Sequence, residues 1–273
     1  MKEEIVIEIC KEVLTRLSKM GYERTNKRST EQLIFPNKFP SNEKIKTFSE
    51  KELLKYVRRS EQELRQLFID VFKEKEPELF YSIETPTETK YSFGKSYLDI
   101  KVCEDVVKGQ SALLDMCVFK RDDVIEKYTR ILNIEFKYGN APIKDIAKDV
   151  LKLMREKQNG AFIFLFDNTN SGSLNNKGEK RKGVLDKLSQ SFQEFQKIEN
   201  IWNEEKYIHT IILSLEHKTN TIITPTLIYK KLVKDNLKDL NAFFSINANR
   251  SGNIGTVCKN SGWQTEKVKE RVG

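Results

Sequence analysis

The stretch that decides the fold is residues 111–138, SALLDMCVFKRDDVIEKYTRILNIEFKY. Two β-like runs, residues 112–119 and 131–138, flank a charged connection, and this pattern predicts a pair of neighbouring antiparallel strands. Because side chains alternate along a strand, Glu135 and Lys137 project from the same face of the second run. Asp115 lies within the first run, between apolar neighbours. A lone buried carboxylate is costly, so the pattern favours a divalent cation shared by Asp115 and Glu135.

Helical periodicity appears on both sides of this pair of strands. Apolar spacing predicts a helix over residues 3–20, and a capping box of Ser49 and Glu52 predicts a long helix that ends near residue 76. A third helix, from residue 143 to about 154, precedes the all-apolar run 161–166, which predicts a strand in the middle of a sheet. The other predictions are strands at 79–84, 91–93, 97–102 and 207–215, a loop at 168–183, a helix from 184 to about 202, a helix capped by Thr224 and Pro225, and a polar tail from 247.

The order of these elements predicts a mixed α/β (α+β) fold, with a central mixed sheet flanked by helices. We divide the chain into an N-terminal helix and connector (1–48), a core (49–167) and a C-terminal extension (168–273). The extension is a candidate region for target recognition or dimerisation.

Composition excludes several classes of protein. The chain has 48 Lys and Arg against 40 Asp and Glu, a net charge of +8 that modestly favours an anionic partner. Its four cysteines form no CxxC pair and it has two histidines, which argues against zinc fingers and disulfide frameworks. It has no P-loop, GxGxxG or GxSxG motif, and no apolar run of membrane-spanning length or secretory signal. We therefore expect a cytoplasmic protein without a membrane partner.

The acid on one strand, the Glu-x-Lys on the next, and the helix and buried strand that follow resemble the PD-(D/E)XK nuclease superfamily. The resemblance covers residues 49–167 and implies a restriction-endonuclease-like core with added N- and C-terminal elements. Asp115 matches the first acid, Glu135 the second and Lys137 the lysine, whereas Leu114 stands where the family usually has proline. The core helix of the family often supplies another glutamate, and Glu61 fits best because it falls within an apolar helical stripe. An equally weighted alternative is that Glu61 is simply a solvated residue with no part in the site.

The resemblance implies hydrolysis of double-stranded DNA with Mg²⁺, for which Mn²⁺ substitutes, and no other cofactor. Asp115 and Glu135 would be the metal ligands, and Lys137 would orient the attacking water or offset developing charge. We expect a restriction or defence endonuclease, which could form a homodimer. Two alternatives remain: a nucleic-acid-binding or regulatory protein that keeps the fold without turnover, and a nuclease for RNA or branched DNA.

Context selects among competing matches to the motif. Glu-x-Lys occurs four times, beginning at Glu88, Glu135, Glu204 and Glu216. Glu135 is favoured because an acid-bearing strand precedes it and a helix and buried strand follow it. The alternative is an edge strand whose charges face water, with Lys137 simply paired to Glu135. Asp99 is a second candidate for the first acid, but its neighbours are more polar than those of Asp115.

Basic residues near the motif are candidates for phosphate contact. Lys144, Lys148 and Lys152 recur at helical spacing after the Glu-x-Lys strand and predict a positive ridge, although a solvated helix face has the same pattern. Lys180, Arg181 and Lys182 in the predicted loop extend this candidate nucleic-acid-binding surface.

Overall fold

The structure, a computed structural model, describes most of the chain. The described residues are 4–21, 23, 31–38, 56–103, 109–167, 169–175, 182–202, 205–215, 225–246 and 258–268.

The helices and strands alternate along the middle of the chain. The helices are α1 (Ile5–Lys19), α2 (Glu61–Lys75), α3 (Ile143–Arg155), α4 (Ser171–Leu174), α5 (Val184–Phe195) and α6 (Leu240–Phe244). The strands are β1 (Phe80–Ser92), β2 (Lys101–Cys103), β3 (Gln110–Asp122), β4 (Lys127–Tyr138), β5 (Asn159–Phe166), β6 (Tyr207–Ser214), β7 (Thr226–Val233) and β8 (Gln264–Lys267).

These strands form one eight-stranded sheet in the order β2-β1-β3-β4-β5-β6-β7-β8. The central strands β4, β5 and β6 are parallel, and the outer pairs are antiparallel. Parallel neighbours need a crossover, which α3 supplies between β4 and β5 and α5 supplies between β5 and β6. The sheet runs continuously past residue 167, so the C-terminal extension contributes three strands to it.

Helices cover both faces of the sheet. Phe162 and Phe164 of β5 pack in one apolar cluster with residues of α3 and α5, while Ile163 and Leu165 pack in a second cluster with residues of α1 and α2. Burial on both faces explains why residues 161–166 of β5 form an uninterrupted apolar run. The predicted mixed α/β class, with a central mixed sheet flanked by helices, is confirmed.

The motif lies where β3 and β4 stop pairing and diverge, a point that we call the fork. The antiparallel pairing of the two strands, with a register shift between Val118 and Phe119, extends to Met116 and Ile134. Beyond that point β3 pairs with β1, and β4 continues in parallel with β5 as far as Tyr138. At the fork, the Asp115 side chain takes the place of a main-chain partner, because its Oδ2 accepts a hydrogen bond from Phe136 N at 2.7 Å.

The long helix predicted from residue 49 begins later than expected. Helix α2 begins at Glu61, and Ser60 caps it by accepting a hydrogen bond from Gln62 N. The residues just before it are extended, since Val57 forms a β-bridge with Asn37. The Ser49–Glu52 capping box lies outside the described residues.

Two predictions for the C-terminal third are wrong. The segment after Pro225 is strand β7, not a helix, because Leu227, Ile228 and Leu232 are buried in the sheet against β6. Within the predicted polar tail, β8 pairs with β7 and adds the last strand.

Smaller differences concern the loop and the helix that follows it. The described part of the predicted 168–183 loop includes the short helix α4, and α5 ends at Phe195 rather than near residue 202. No helix within the described residues has both the length and the apolar content needed to cross a bilayer.

Candidate active site

The two charged residues of β4 face the crossover helix. Ile134 and Phe136 join the apolar cluster beneath α1 and α2, so alternation directs Glu135 and Lys137 to the side of α3. Glu135 is fully buried and Lys137 is 8% exposed. The predicted sharing of one face by Glu135 and Lys137 agrees with this placement.

Asp115 lies across the fork from Glu135. Its carboxylate is anchored to the backbone of β4 through Phe136 N. Phe136 directly follows Glu135 in β4, so this hydrogen bond holds the Asp115 carboxylate next to the position of Glu135. The fork therefore brings the two predicted acids to one place.

Glu61 reaches the same place from the first turn of α2. Its Oε1 accepts a hydrogen bond from Tyr138 N at 3.4 Å, and its Oε2 lies 3.6 Å from Lys137 Nζ. Partial burial raises the pKa of Glu61, and the attraction of Lys137 opposes that shift. The side chain is 43% exposed, so it combines both of the predicted alternatives: it borders the site and also contacts solvent.

A partly buried network holds the start of α2 in position. Arg59, just before the helix, forms an ion pair with Asp167 at the end of β5, with Nη1 and Oδ1 3.0 Å apart. The hydroxyl of Tyr138 donates a hydrogen bond to the other oxygen of Asp167. This network ties α2 to the carboxyl ends of β4 and β5, which keeps Glu61 beside Lys137.

Helix α3 supplies two further charged side chains to the site. Asp149 binds Lys137 and Lys152 at once, with each ammonium nitrogen 2.7 Å from a carboxylate oxygen. Lys152 Nζ also lies 2.6 Å from Glu135 Oε1 and donates a hydrogen bond to Leu113 O at 2.7 Å. The sequence did not predict Asp149, because helical spacing alone does not show which charged residues of α3 face the sheet.

The predicted ridge on α3 does not include Lys152. That lysine is 6% exposed and points into the charged cluster. Lys144 and Lys148 are half-buried, and Lys148 Nζ lies 5.5 Å from the centre of the Phe93 ring. Of the three lysines in the predicted ridge, Lys152 therefore faces inward, whereas Lys144 and Lys148 lie at the surface.

The residues of the predicted loop are only partly described. Lys182 is exposed, and its Nζ donates a hydrogen bond to Gln190 Oε1 at 2.6 Å. Lys180 and Arg181 lie outside the described residues.

The competing acid, Asp99, has a local structural role. It belongs to a 3-10 turn rather than a strand, and its Oδ2 accepts a hydrogen bond from Ser96 N at 2.9 Å. Asp99 is exposed in this turn, whereas Asp115 lies at the fork against the strand that carries Glu135. The geometry favours Asp115 over Asp99.

Burial and the attraction between opposite charges shift the pKa values of the cluster in opposite directions. Burial raises the pKa of Glu135 well above its usual range, and the nearby charge of Asp149 adds to the shift. Burial also acts to raise the pKa of Asp149, yet the attraction of Lys152 and Lys137 outweighs it and lowers that pKa. Burial alone would lower the pKa of both lysines, but their pairing with Asp149 raises it instead.

The donors suit a hydrated divalent cation better than a closed metal site. No set of three or more His, Cys, Asp or Glu side chains in the described ranges is arranged as a ready metal site. Mg²⁺, however, keeps several waters and needs only one or two carboxylates. Glu135 Oε2 is buried without a hydrogen-bond partner among the described residues, and Asp115 offers a second carboxylate at the backbone of the next residue, Phe136. These two residues fit the cation that the motif implies.

Comparisons of the chain with family models, curated proteins and solved structures found no match. The functional proposal therefore depends on the side chains of the site themselves.

Proposed function

We propose that the protein is a Mg²⁺-dependent deoxyribonuclease of the PD-(D/E)XK type, most consistent with a restriction or defence endonuclease. One observation carries the proposal: at the fork between β3 and β4 the Asp115 carboxylate binds the backbone of Phe136, next to Glu135, and Lys137 lies on the same strand and face as Glu135. A crossover helix and a buried parallel strand follow, as that nuclease pattern requires.

Each side chain of the cluster has a distinct part in the proposed reaction. Asp115 and Glu135 would hold the cation, which when bound polarises the scissile phosphate. Lys137 would orient the attacking water and offset the charge that develops on the phosphate. Asp149 and Glu61 would act as positioning residues, because they flank Lys137 Nζ at 2.7 and 3.6 Å.

Double-stranded DNA is the proposed substrate. The net charge of +8 favours a polyanion, and Lys144 and Lys148 are accessible at the surface of the helix that borders the site. Lys180, Arg181 and Lys182 stay candidates for phosphate contact. Recognition or homodimerisation by residues 168–273, and a cytoplasmic location, belong to the same proposal.

Binding of nucleic acid without hydrolysis is the second candidate. The observation that favours it is the ion pair between Lys152 and Glu135, which already compensates one of the proposed metal ligands. A fold that had lost its metal would be stabilised by such a pair.

Cleavage of supercoiled plasmid DNA separates the two candidates. We expect nicking or linearisation with Mg²⁺ or Mn²⁺ and none with chelator. Glu135→Gln and Lys137→Met should each reduce the rate by roughly 10³-fold or more, because each removes a group that acts on the transition state.

Asp145→Asn, at an exposed position on α3, is the matched control and should cleave at the wild-type rate. Retained plasmid binding with no cleavage under any metal condition would support the non-hydrolytic candidate. Cleavage confined to RNA or branched-DNA substrates would change the assigned substrate. Undiminished cleavage by Glu135→Gln would refute the site.

A further inference from the structure

Lys152 occupies the place of a cation within the carboxylate cluster. Its ammonium nitrogen lies 2.6 Å from Glu135 Oε1, 2.7 Å from Asp149 Oδ1 and 2.7 Å from Leu113 O. A lysine ammonium has three N–H donors, so these three oxygens match its full capacity. They come from β4, α3 and β3, which together enclose the ammonium group.

We infer that Lys152 is a built-in cation that fills the second cation position and limits the site to one divalent ion. This inference rests on the proposed metal-dependent function and specifies its metal stoichiometry. Two-metal phosphodiesterases hold their ions about 3.5–4 Å apart, with carboxylates shared between them. Here one oxygen of Glu135 is already occupied by an ammonium, and the other, Oε2, is left for a metal.

The charge balance of the cluster agrees with a single ion. Four carboxylates face two ammonium groups, which leaves an excess of two negative charges when all six groups are ionised. The carboxylates are Asp115, Glu135, Asp149 and Glu61, and the ammonium groups are Lys137 and Lys152. One divalent cation neutralises this excess, and a second would leave the buried site positively charged.

Lys152 is held in place too firmly to leave when metal binds. Its side chain is 7% exposed and extends from a helix whose neighbouring residues Leu151 and Leu153 are fully buried. Moving the ammonium group to solvent would leave Asp149 with one partner fewer and Leu113 O without this donor. A metal ion is therefore expected to bind beside Lys152 rather than to replace it.

The stoichiometry of metal binding tests this inference without relying on catalysis. Titration of the metal-free full chain with Mn²⁺, followed by calorimetry and by electron paramagnetic resonance of free Mn²⁺, should give one site in the wild type. Lys152→Gln removes one positive charge and frees both bridged carboxylates, so it should bind two ions. The rise in melting temperature on adding Mn²⁺ should also be larger for Lys152→Gln than for the wild type, because binding to the folded state adds stability.

Lys148→Gln, one turn earlier on α3, is the control and should bind one ion. Lys152→Arg keeps the charge and should also bind one. Two ions in the wild type would overturn the inference even if Lys152→Gln failed to fold, and one ion in a folded Lys152→Gln would overturn it too. Neither outcome affects the proposed function, which the plasmid assay tests separately; absence of Mn²⁺ binding in the wild type would overturn both.

Discussion

Replacing Asp149 by asparagine removes the charge that joins the two lysines of the site while nearly preserving side-chain size. Asp149 is 5% exposed and lies 2.7 Å from both Lys137 Nζ and Lys152 Nζ. The substitution leaves each ammonium with a weaker set of partners, because Lys137 keeps Glu61 at 3.6 Å and Lys152 keeps Glu135. We therefore expect Asp149→Asn to lower the free energy of unfolding and to shift the position of the Lys137 ammonium group.

The stability loss follows from breaking buried ion pairs. Removing one partner of such a pair costs about 3–5 kcal/mol, since the other charge stays buried. For Asp149→Asn we expect a loss of about 3 kcal/mol, the lower end of this range. Both lysines keep a second carboxylate, and the amide oxygen still accepts a hydrogen bond. Urea denaturation of the metal-free protein, with the exposed Asp145→Asn as control, measures this difference; the control should change the free energy of unfolding by no more than about 0.5 kcal/mol.

The pH dependence of the same difference has a defined sign. Folding lowers the pKa of Asp149 below its ordinary value of 3.8, so the folded state prefers the charged form. The stabilisation is therefore complete above pH 3.8 and is lost as the pH falls through the lower, folded-state pKa. The gap between wild type and Asp149→Asn should narrow in that acid range. A loss below about 1 kcal/mol at neutral pH, or a gap that widens in acid, would refute the assigned role of Asp149 as a charged bridge.

Three further predictions concern the ligands, the surface and the metal. Asp115→Asn should abolish plasmid cleavage at saturating Mg²⁺, whereas Asp99→Asn should retain most of it; the reverse ranking would move the first acid to Asp99. Replacing Lys144 and Lys148 together with glutamine should weaken binding to all duplex sequences and flatten the dependence of log affinity on log salt, as measured by fluorescence anisotropy. Lys152 is buried, so Lys152→Gln should leave that salt slope unchanged. A flatter slope for this variant would mean that Lys152 contacts phosphate. Adding chelator should stop cleavage at once and excess Mg²⁺ should restore it, so persistent cleavage in chelator would exclude the metal-dependent mechanism.

Hydrophobic periodicity was sufficient to predict the central elements of the fold. The apolar run predicts β5, and the amphipathic stripe predicts α3. Both elements are buried in a large apolar cluster, so the local pattern and the tertiary packing favour the same structure. The pattern failed after Pro225, where a Thr-Pro pair resembles a helix cap but Leu227 and Ile228 are buried in the sheet. Short apolar runs fit a strand or a helix equally well, and pairing with the preceding strand β6 decided between them.

The site was predictable where the chain itself places its residues together. Glu135 and Lys137 share a strand face through the two-residue period, and Asp115 reaches them through the adjacent strand. Asp149 was not predicted because helical spacing alone does not show which charged residues of α3 turn towards the sheet. The same spacing places Lys152 on the surface ridge, because lysine is seldom buried without a partner and one of its partners, Glu135, comes from a different element.

The protonation of Glu135 links the positions of the two lysines to the proposed chemistry. Burial raises its pKa, so its ionised form in the metal-free protein depends on a nearby positive charge. Lys152 supplies that charge at 2.6 Å on Oε1, which leaves Oε2 as an acceptor for a cation. The ammonium group of Lys137 instead contacts Asp149 at 2.7 Å, Glu61 at 3.6 Å and Phe136 O at 3.0 Å. In the proposed reaction the two lysines would therefore have different parts: Lys152 would keep Glu135 ionised as a metal ligand, and Lys137 would act on the water and the phosphate.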